Sequence, residues 1–136
     1  MLQEFIKLFV NTSNAPPWNC EWTIEKATKM LMTIVDTPGF LGFIGKKNQK
    51  IIAACFGGIK PGWNMEWYNI DEFFVDTEYQ NTGKGTTLIN GIKEELRKRK
   101  IDTISVHTWE GFSVTPFYEK NGFNKIDNNI LMVAKF

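Results

Sequence analysis

Two glycines flank one lysine in the stretch Gln80-Asn81-Thr82-Gly83-Lys84-Gly85, which opens directly into a run of helical spacing starting at Thr86. The first amide groups of a helix have no partner inside it. They carry partial positive charge and form a ready site for an anion. Glycines without Cβ atoms let a phosphate approach the backbone closely, and Lys84 adds charge at the rim. Two other phosphate loops fail to match. The form GxxxxGK[ST] would need glycine where Glu78 stands and a hydroxyl residue where Gly85 stands. The dinucleotide form GxGxxG lacks its second half here, and it belongs to a longer parallel sheet than this chain offers.

Other reactive groups lie on either side of that loop. Asp71 and Glu72 precede it on an apolar segment, and His107, the one histidine, follows it. Tyr118 sits in FYEKNGF, residues 117–123. Cys20 and Cys55 form no CxxC pair, so no metal site is expected, and they read as free thiols of a reducing compartment.

The elements that must position these groups follow from periodicity. Leu2, Phe5, Ile6, Phe9 and Val10 recur at helical spacing, and Pro16-Pro17 interrupts the loop that follows. Thr23 reads as an N-cap for a second helix with Ala27, Met30, Leu31, Ile34 and Val35 on one face, ending at Pro38-Gly39. Residues 40–46 and 51–59 read as a hairpin, and residues 67–75 as a third strand. A helix from Thr86 to about Lys100 buries Leu88, Ile89, Ile92 and Leu96. Its charged end, KEELRKRK, reads as a solvated face that meets the helix dipole. A strand over 103–108 follows, then a loop through Gly111. A short helix opens with Thr115-Pro116 as N-cap and first position and closes at Asn121-Gly122. Strands over 123–126 and 130–136 are expected to finish the chain. The strand–helix–strand unit over 67–108 predicts a parallel crossover, and the whole predicts an α/β (α+β mixed) sandwich.

A chain of 136 residues, 43% hydrophobic and 23% charged, is read as a single folded domain over 1–136 rather than a disordered one. The net charge of +1 calls for neither nucleic acid nor an anionic membrane. The apolar run over 51–59 is too short to span a bilayer, and the N-terminus lacks the marks of a signal peptide. A soluble, cytoplasmic protein is expected.

The pattern [QR]xxGx[GA], placed after a strand ending in Val75-Asp76, together with FYEKNGF downstream, resembles the paired signatures of the GNAT superfamily of N-acetyltransferases. The likeness extends over nearly the whole chain. PWNCEWT and TPGFLGF in the first half are most similar to bacterial members of general or aminoglycoside type. The resemblance implies the acyl-CoA N-acyltransferase fold: a mixed, mostly antiparallel sheet with helices on both faces and a splayed parallel pair at the cofactor site. Family domains usually begin with a strand before the first helix. This chain starts inside that helix, which leaves a sheet edge that the partner in a homodimer could cover.

The resemblance also assigns roles. Acetyl-CoA would set its pyrophosphate on Gln80, Asn81, Thr82, Gly83, Lys84, Gly85 and Thr86, and its pantetheine arm against the backbone of Phe73, Phe74 and Val75. An N–H of that strand would stabilise the oxyanion. Tyr118 would be the acid that protonates the leaving thiolate. The base that takes a proton from the acceptor ammonium stays open. Some members carry it where Asn69 stands, which cannot serve, so Glu72, Asp71, His107 or no dedicated base remain. The acceptor is expected to be a small polyamine or aminoglycoside-like amine held by Glu66, Asp71, Glu72 and Glu110, with a peptide amine as the alternative. A non-catalytic module that binds coenzyme A is the rival from another class. Trp18, Trp22, Trp63, Trp67 and Trp109 are candidate walls of the acceptor pocket.

Overall fold

The computed structural model describes residues 2–110 and 114–136. Helices α1 (Leu2–Asn14) and α2 (Ile24–Val35) come first, followed by strands β1 (Phe40–Lys47), β2 (Lys50–Pro61) and β3 (Glu66–Val75). A 3-10 turn at Thr77–Tyr79 leads to α3 (Lys84–Lys98), β4 (Ile104–Val106) and α4 (Val114–Lys120). The sheet order is β1-β2-β3-β4; the first two pairings are antiparallel and β3 with β4 is parallel. The fold is the mixed α/β sandwich that the sequence predicts.

The two faces of the sheet carry separate cores. Phe5, Ile6, Phe9, Ala27 and Leu31 of α1 and α2 pack on Ile51, Ala54, Phe56 and Phe74. Leu88, Ile89, Ile92 and Leu96 of α3 pack on Ala53, Cys55, Tyr68 and Ile70, with Tyr118 of α4 beside them. β2 feeds both cores, which explains its unbroken apolar run. The expected cap of α2 is present: Thr23 Oγ1 accepts from the Lys26 N–H at 3.1 Å. The charged end of α3 forms the exposed pairs Arg97–Glu94, Lys98–Glu95 and Arg99–Glu95, as a solvated face should.

β3 changes face partway along. Phe56 pairs with Glu72 while its neighbour Gly57 pairs with Ile70, so Asp71 is an extra residue, a β-bulge. Before the bulge, Tyr68 and Ile70 point to the α3 side; after it, Phe73 and Val75 do, and Phe74 points to α1 and α2. The usual alternation of side chains is therefore reset at Asp71.

Several expectations need correction. The strands expected over 123–126 and 130–136 are absent; the residues after Phe123 lie in no helix or strand and are exposed. Apolar composition suits a segment to a strand, but a strand exists only where a ladder partner is in reach. β4 has three residues instead of six for the same reason, since it pairs with β3 only opposite Tyr68, Asn69 and Ile70. α4 includes Thr115, whose hydroxyl donates to the Trp109 carbonyl at 2.9 Å rather than capping the helix. The expected loop through Gly111 lies outside the described residues. The expected end of α4 holds: Gly122 takes a φ of +93°.

Candidate active site

β3 and β4 part after the pair Ile70–Val106. A cleft of about 770 Å³ opens where they diverge, lined by residues 70–75 of β3, Val106 of β4 and 107–109 after it, the start of α3, and Phe117 and Tyr118 of α4. The far wall comes from α1 and the loop after it, through Phe9, Thr12, Trp18, Cys20 and Trp22. Among the described strands, only β2 pairs with β3 beyond Ile70. Alternate backbone groups of Phe73, Phe74 and Val75 therefore face the cleft, and apart from the Val75 carbonyl, which Gln80 Nε2 occupies, they are open to an extended guest.

The loop at the end of this gap is built as the sequence suggests, with one revision. Asp76 Oδ1 accepts from the Glu78 N–H at 3.0 Å, and the Asp76 N–H donates to the Ile52 carbonyl at 2.7 Å, which fastens the turn to the sheet. Gln80 Nε2 donates to the Val75 carbonyl at 3.1 Å. Gly83 is the N-cap of α3 with a φ of +82°, and no side chain caps the helix. The Thr87 N–H donates to the Gly83 carbonyl at 3.0 Å, so the amides of Lys84, Gly85 and Thr86 are left without intrahelical partners. Nothing lies within 4 Å of the place where a Cβ on Gly83 would be, so the approach is open. Gly85 serves another purpose. A Cβ there would sit 2.9 Å from the Phe117 ring, so this glycine makes room for α4. Of the residues expected to hold the cofactor, Phe73, Phe74, Val75, Gln80, Asn81, Gly83, Gly85 and Thr86 line the cleft. Thr82 and Lys84 do not: Thr82 turns its hydroxyl back to the Tyr79 carbonyl.

Tyr118 is buried among the rings of Phe73, Phe117 and Phe123, with centroids 5.1–6.3 Å away. Burial, with Cys55 and Glu72 nearby, holds its phenol above the ordinary tyrosine range, so it keeps its proton. The side chain borders the cleft. α4 is tied to the start of α3 by Asn121, a buried residue that sequence reasoning used only to mark the helix end. Asn121 Nδ2 donates to Thr86 Oγ1 at 3.2 Å and to the Phe117 carbonyl at 2.8 Å, and its own carbonyl accepts from Lys93 Nζ at 2.6 Å.

Glu72 and Asp71 both line the cleft, where simple alternation would have separated them; the bulge brings them together. Burial, and then the Asp71 carboxylate, raise Glu72 from 4.5 to about 7. Asp71 is held by Asn69 Nδ2 at 3.2 Å, and Asn69 Oδ1 accepts from Ser105 Oγ of β4 at 2.8 Å. Asn69 is thus a strand-to-strand brace that orients Asp71. His107 is exposed at the edge of the cleft. Trp18, Trp22 and Trp109 line it; Trp63 and Trp67 do not. Trp22 is fixed by reciprocal bonds with Asn14, at 2.8 and 3.0 Å, and by the Phe9 ring. Glu66 and Glu110 are not in the cleft, and Glu110 pairs with Lys125 at 3.2 Å. The buried thiol has a structural setting: Cys55 lies 3.6 Å from the Tyr68 hydroxyl, and burial pushes it up to about 12. Among the described residues no helix is long and apolar enough to cross a membrane.

Comparison with known proteins agrees with this fold. The family model for the acetyltransferase (GNAT) family matches residues 7–123. No curated protein matches the chain in sequence. Among solved structures, a "possible acetyltransferase" from Clostridium difficile 630 is 20% identical with a TM-score of 0.81, covering 99% of this chain and 91% of that one. An aminoglycoside acetyltransferase from an uncultured soil metagenomic sample, in complex with sisomicin, is 14% identical with a TM-score of 0.75, covering 98% and 86%. An aminoglycoside 6'-N-acetyltransferase from Acinetobacter haemolyticus is 11% identical with a TM-score of 0.74, covering 99% and 92%. At these identities the likeness establishes the fold.

Proposed function

We propose, from the premise that this chain belongs to the acetyltransferase (GNAT) family, that it transfers the acetyl group of acetyl-CoA to a primary amine of a small cationic molecule. The observation that carries this reading is the gap between β3 and β4, which ends at the uncapped start of α3. The gap offers an extended guest a strand edge, and the helix start offers its phosphates unpaired amides. When bound, acetyl-CoA supplies an acyl group activated as a thioester.

The chain's own groups then divide the work. Amides of residues 84–86 would hold the pyrophosphate, and the cleft-facing backbone of Phe73–Val75 would orient the arm and aim an N–H at the acyl carbonyl. Glu72, half ionised near neutral pH, takes a proton from the incoming ammonium so that the nitrogen can attack. Tyr118 holds its proton toward the leaving sulfur and regains one from the nitrogen. Holding amine and thioester together removes much of the entropic barrier.

Asp71 and Glu72, facing the indoles of Trp18, Trp22 and Trp109 across one cleft, favour a cationic acceptor. The aminoglycoside acetyltransferases among the structural neighbours support the same class. The test is a thermal-shift and thiol-release screen with acetyl-CoA and a panel of polyamines, aminoglycosides and peptides. A rise in Tm with acetyl-CoA and thiol release that depends on a polyamine or aminoglycoside are expected. Cofactor binding with no turnover on any amine would overturn the enzymatic reading.

A further inference from the structure

A directed chain of side-chain hydrogen bonds runs from β4 across to the mouth of the cleft. Ser105 Oγ donates to Asn69 Oδ1 at 2.8 Å, and Asn69 Nδ2 donates to Asp71 Oδ1 at 3.2 Å. Chemistry fixes its direction. An ionised carboxylate only accepts, so the amide must turn its NH2 group to Asp71. The amide carbonyl is then left for Ser105, whose hydroxyl must donate.

The register places this chain at the root of the gap. Asn69 and Ser105 stand opposite each other in the parallel ladder, and the next pair, Ile70 with Val106, is the last before the strands part. Tyr68, Ile70, Ile104 and Val106 all belong to the core under α3. Asn69 and Ser105 therefore project from the other face of the sheet, the one on which Phe74 meets α1. Both are half-buried. The chain of bonds ends on Asp71, the extra residue of the bulge.

Asp71 is exposed, so packing does not fix its side chain. Left alone, such a carboxylate would spread over its rotamers in water. Glu72 next to it is half-buried, and both line the cleft. A carboxylate held beside a second one disfavours charge on the second, whereas one that swings into solvent is screened. The other titratable groups lining the cleft are His107 after β4, Tyr118 and Lys120 of α4, Cys20 on the loop after α1 and Tyr79 before α3. β2 sets Phe56 opposite Glu72, and α1 brings Phe9 and Thr12 to the cleft; none of these ionises. After burial, the charge that raises Glu72 is that of Asp71.

We propose that Asn69 and Ser105 are positioning residues: together they hold the Asp71 carboxylate in the cleft beside Glu72, and through it they set the charge that Glu72 carries when the acceptor arrives. Neither side chain lines the cleft, so both act through Asp71. The inference deepens the acetyltransferase reading and rests on it for the use of Glu72 as base; the hold on Asp71 stands without it.

The test follows the Glu72 carboxyl by carbon NMR of the full chain, labelled at its glutamate carboxyls, through a pH titration with no ligand added. Glu72→Gln identifies the signal. Asn69→Ala and Ser105→Ala should each lower the Glu72 midpoint by about half a pH unit, and Asp71→Asn by at least as much. Ser105→Thr keeps the hydroxyl on a side chain suited to a strand, and should titrate like the parent. Added to Asp71→Asn, Asn69→Ala should shift the midpoint no further, since its effect passes through Asp71. In turnover, the rising limb of kcat/KM should move to lower pH with the midpoint in both alanine variants, while KM for acetyl-CoA holds. Alanine variants that titrate like the parent overturn the proposal. So does a further shift on adding Asn69→Ala to Asp71→Asn, which would make Asn69 a plain support of the sheet. The titration uses neither cofactor nor amine, so a chain without turnover would overturn the enzymatic reading while the midpoints still decide this one.

Discussion

Replacing Glu72 with glutamine should make the protein more stable and less active at once, and the two effects should share one pH dependence. Burial and the neighbouring Asp71 raise the Glu72 carboxyl from its ordinary 4.5 to about 7 in the folded chain. A group whose folded pKa is raised contributes most below its unfolded pKa and loses that contribution as pH rises through the folded one. Ionised Glu72 therefore costs the native state nothing below pH 4.5, progressively more up to about pH 7, and a constant amount above that. At about 1.4 kcal/mol per pKa unit the plateau is about 3 kcal/mol. Glu72→Gln keeps the shape and removes the charge, so its Tm should match the parent at pH 4.5 and exceed it by roughly 10 °C at pH 8. The activity should move the other way. In the parent, kcat/KM should rise with pH through a limb near 7; in the variant that limb should vanish, with kcat/KM lower by about 10²-fold or more at pH 8. Thermal melts and steady-state rates at matched pH values measure both. A Tm difference that is the same at pH 4.5 and pH 8, or a variant that keeps the limb, would refute the reasoning.

Tyr118→Phe should lower kcat by about 10²-fold or more while acetyl-CoA affinity by calorimetry stays within a few-fold, because the hydroxyl acts only on the leaving sulfur. Gly85→Ala should push the Phe117 ring, 2.9 Å from the added carbon, and destabilise the fold by about 1–3 kcal/mol in denaturant melts, less what alanine adds to helix propensity. Asn121→Ala should cost about 1–3 kcal/mol in the same melts and should raise KM for acetyl-CoA while lowering kcat, because one side chain braces both Thr86 and the Tyr118 helix.

Local signals were enough to read the helices, the first three strands and the glycine loop. α1, α2 and α3 carry apolar residues at helical spacing and turn most of them to the two cores. β2 has a continuous apolar run because both of its faces are covered. The loop was legible because glycines at a strand-to-helix turn have few other uses. What could not be read depends on contacts between distant segments. Nothing local marks Asp71 as an extra residue, since the register slip is defined by Phe56 and Gly57 on another strand. Hence the sequence suggests that the two carboxylates face apart, and the fold brings them together. Asn121 looked like a helix terminator because its bond to Thr86 spans 35 positions. Glu110 looked available for the cleft, and Lys125 takes it. The final strands failed as a reading because residues 123–136 carry the composition of strands without a ladder in their own chain.

The extra residue in β3 divides that strand into two stretches of opposite phase, and it does so in the short span that touches both halves of the chemistry. Exchanging one side chain there leaves the phase untouched. Removing Asp71 would instead leave every pairing with β2 in place and restore plain alternation, Ile70 opposite Gly57 being followed directly by Glu72 opposite Phe56, while the crevice would lose its second carboxylate. The span from Tyr68 to Val75 therefore holds one residue more than its ladder with β2 uses, and that residue brings a carboxylate to the crevice beside Glu72.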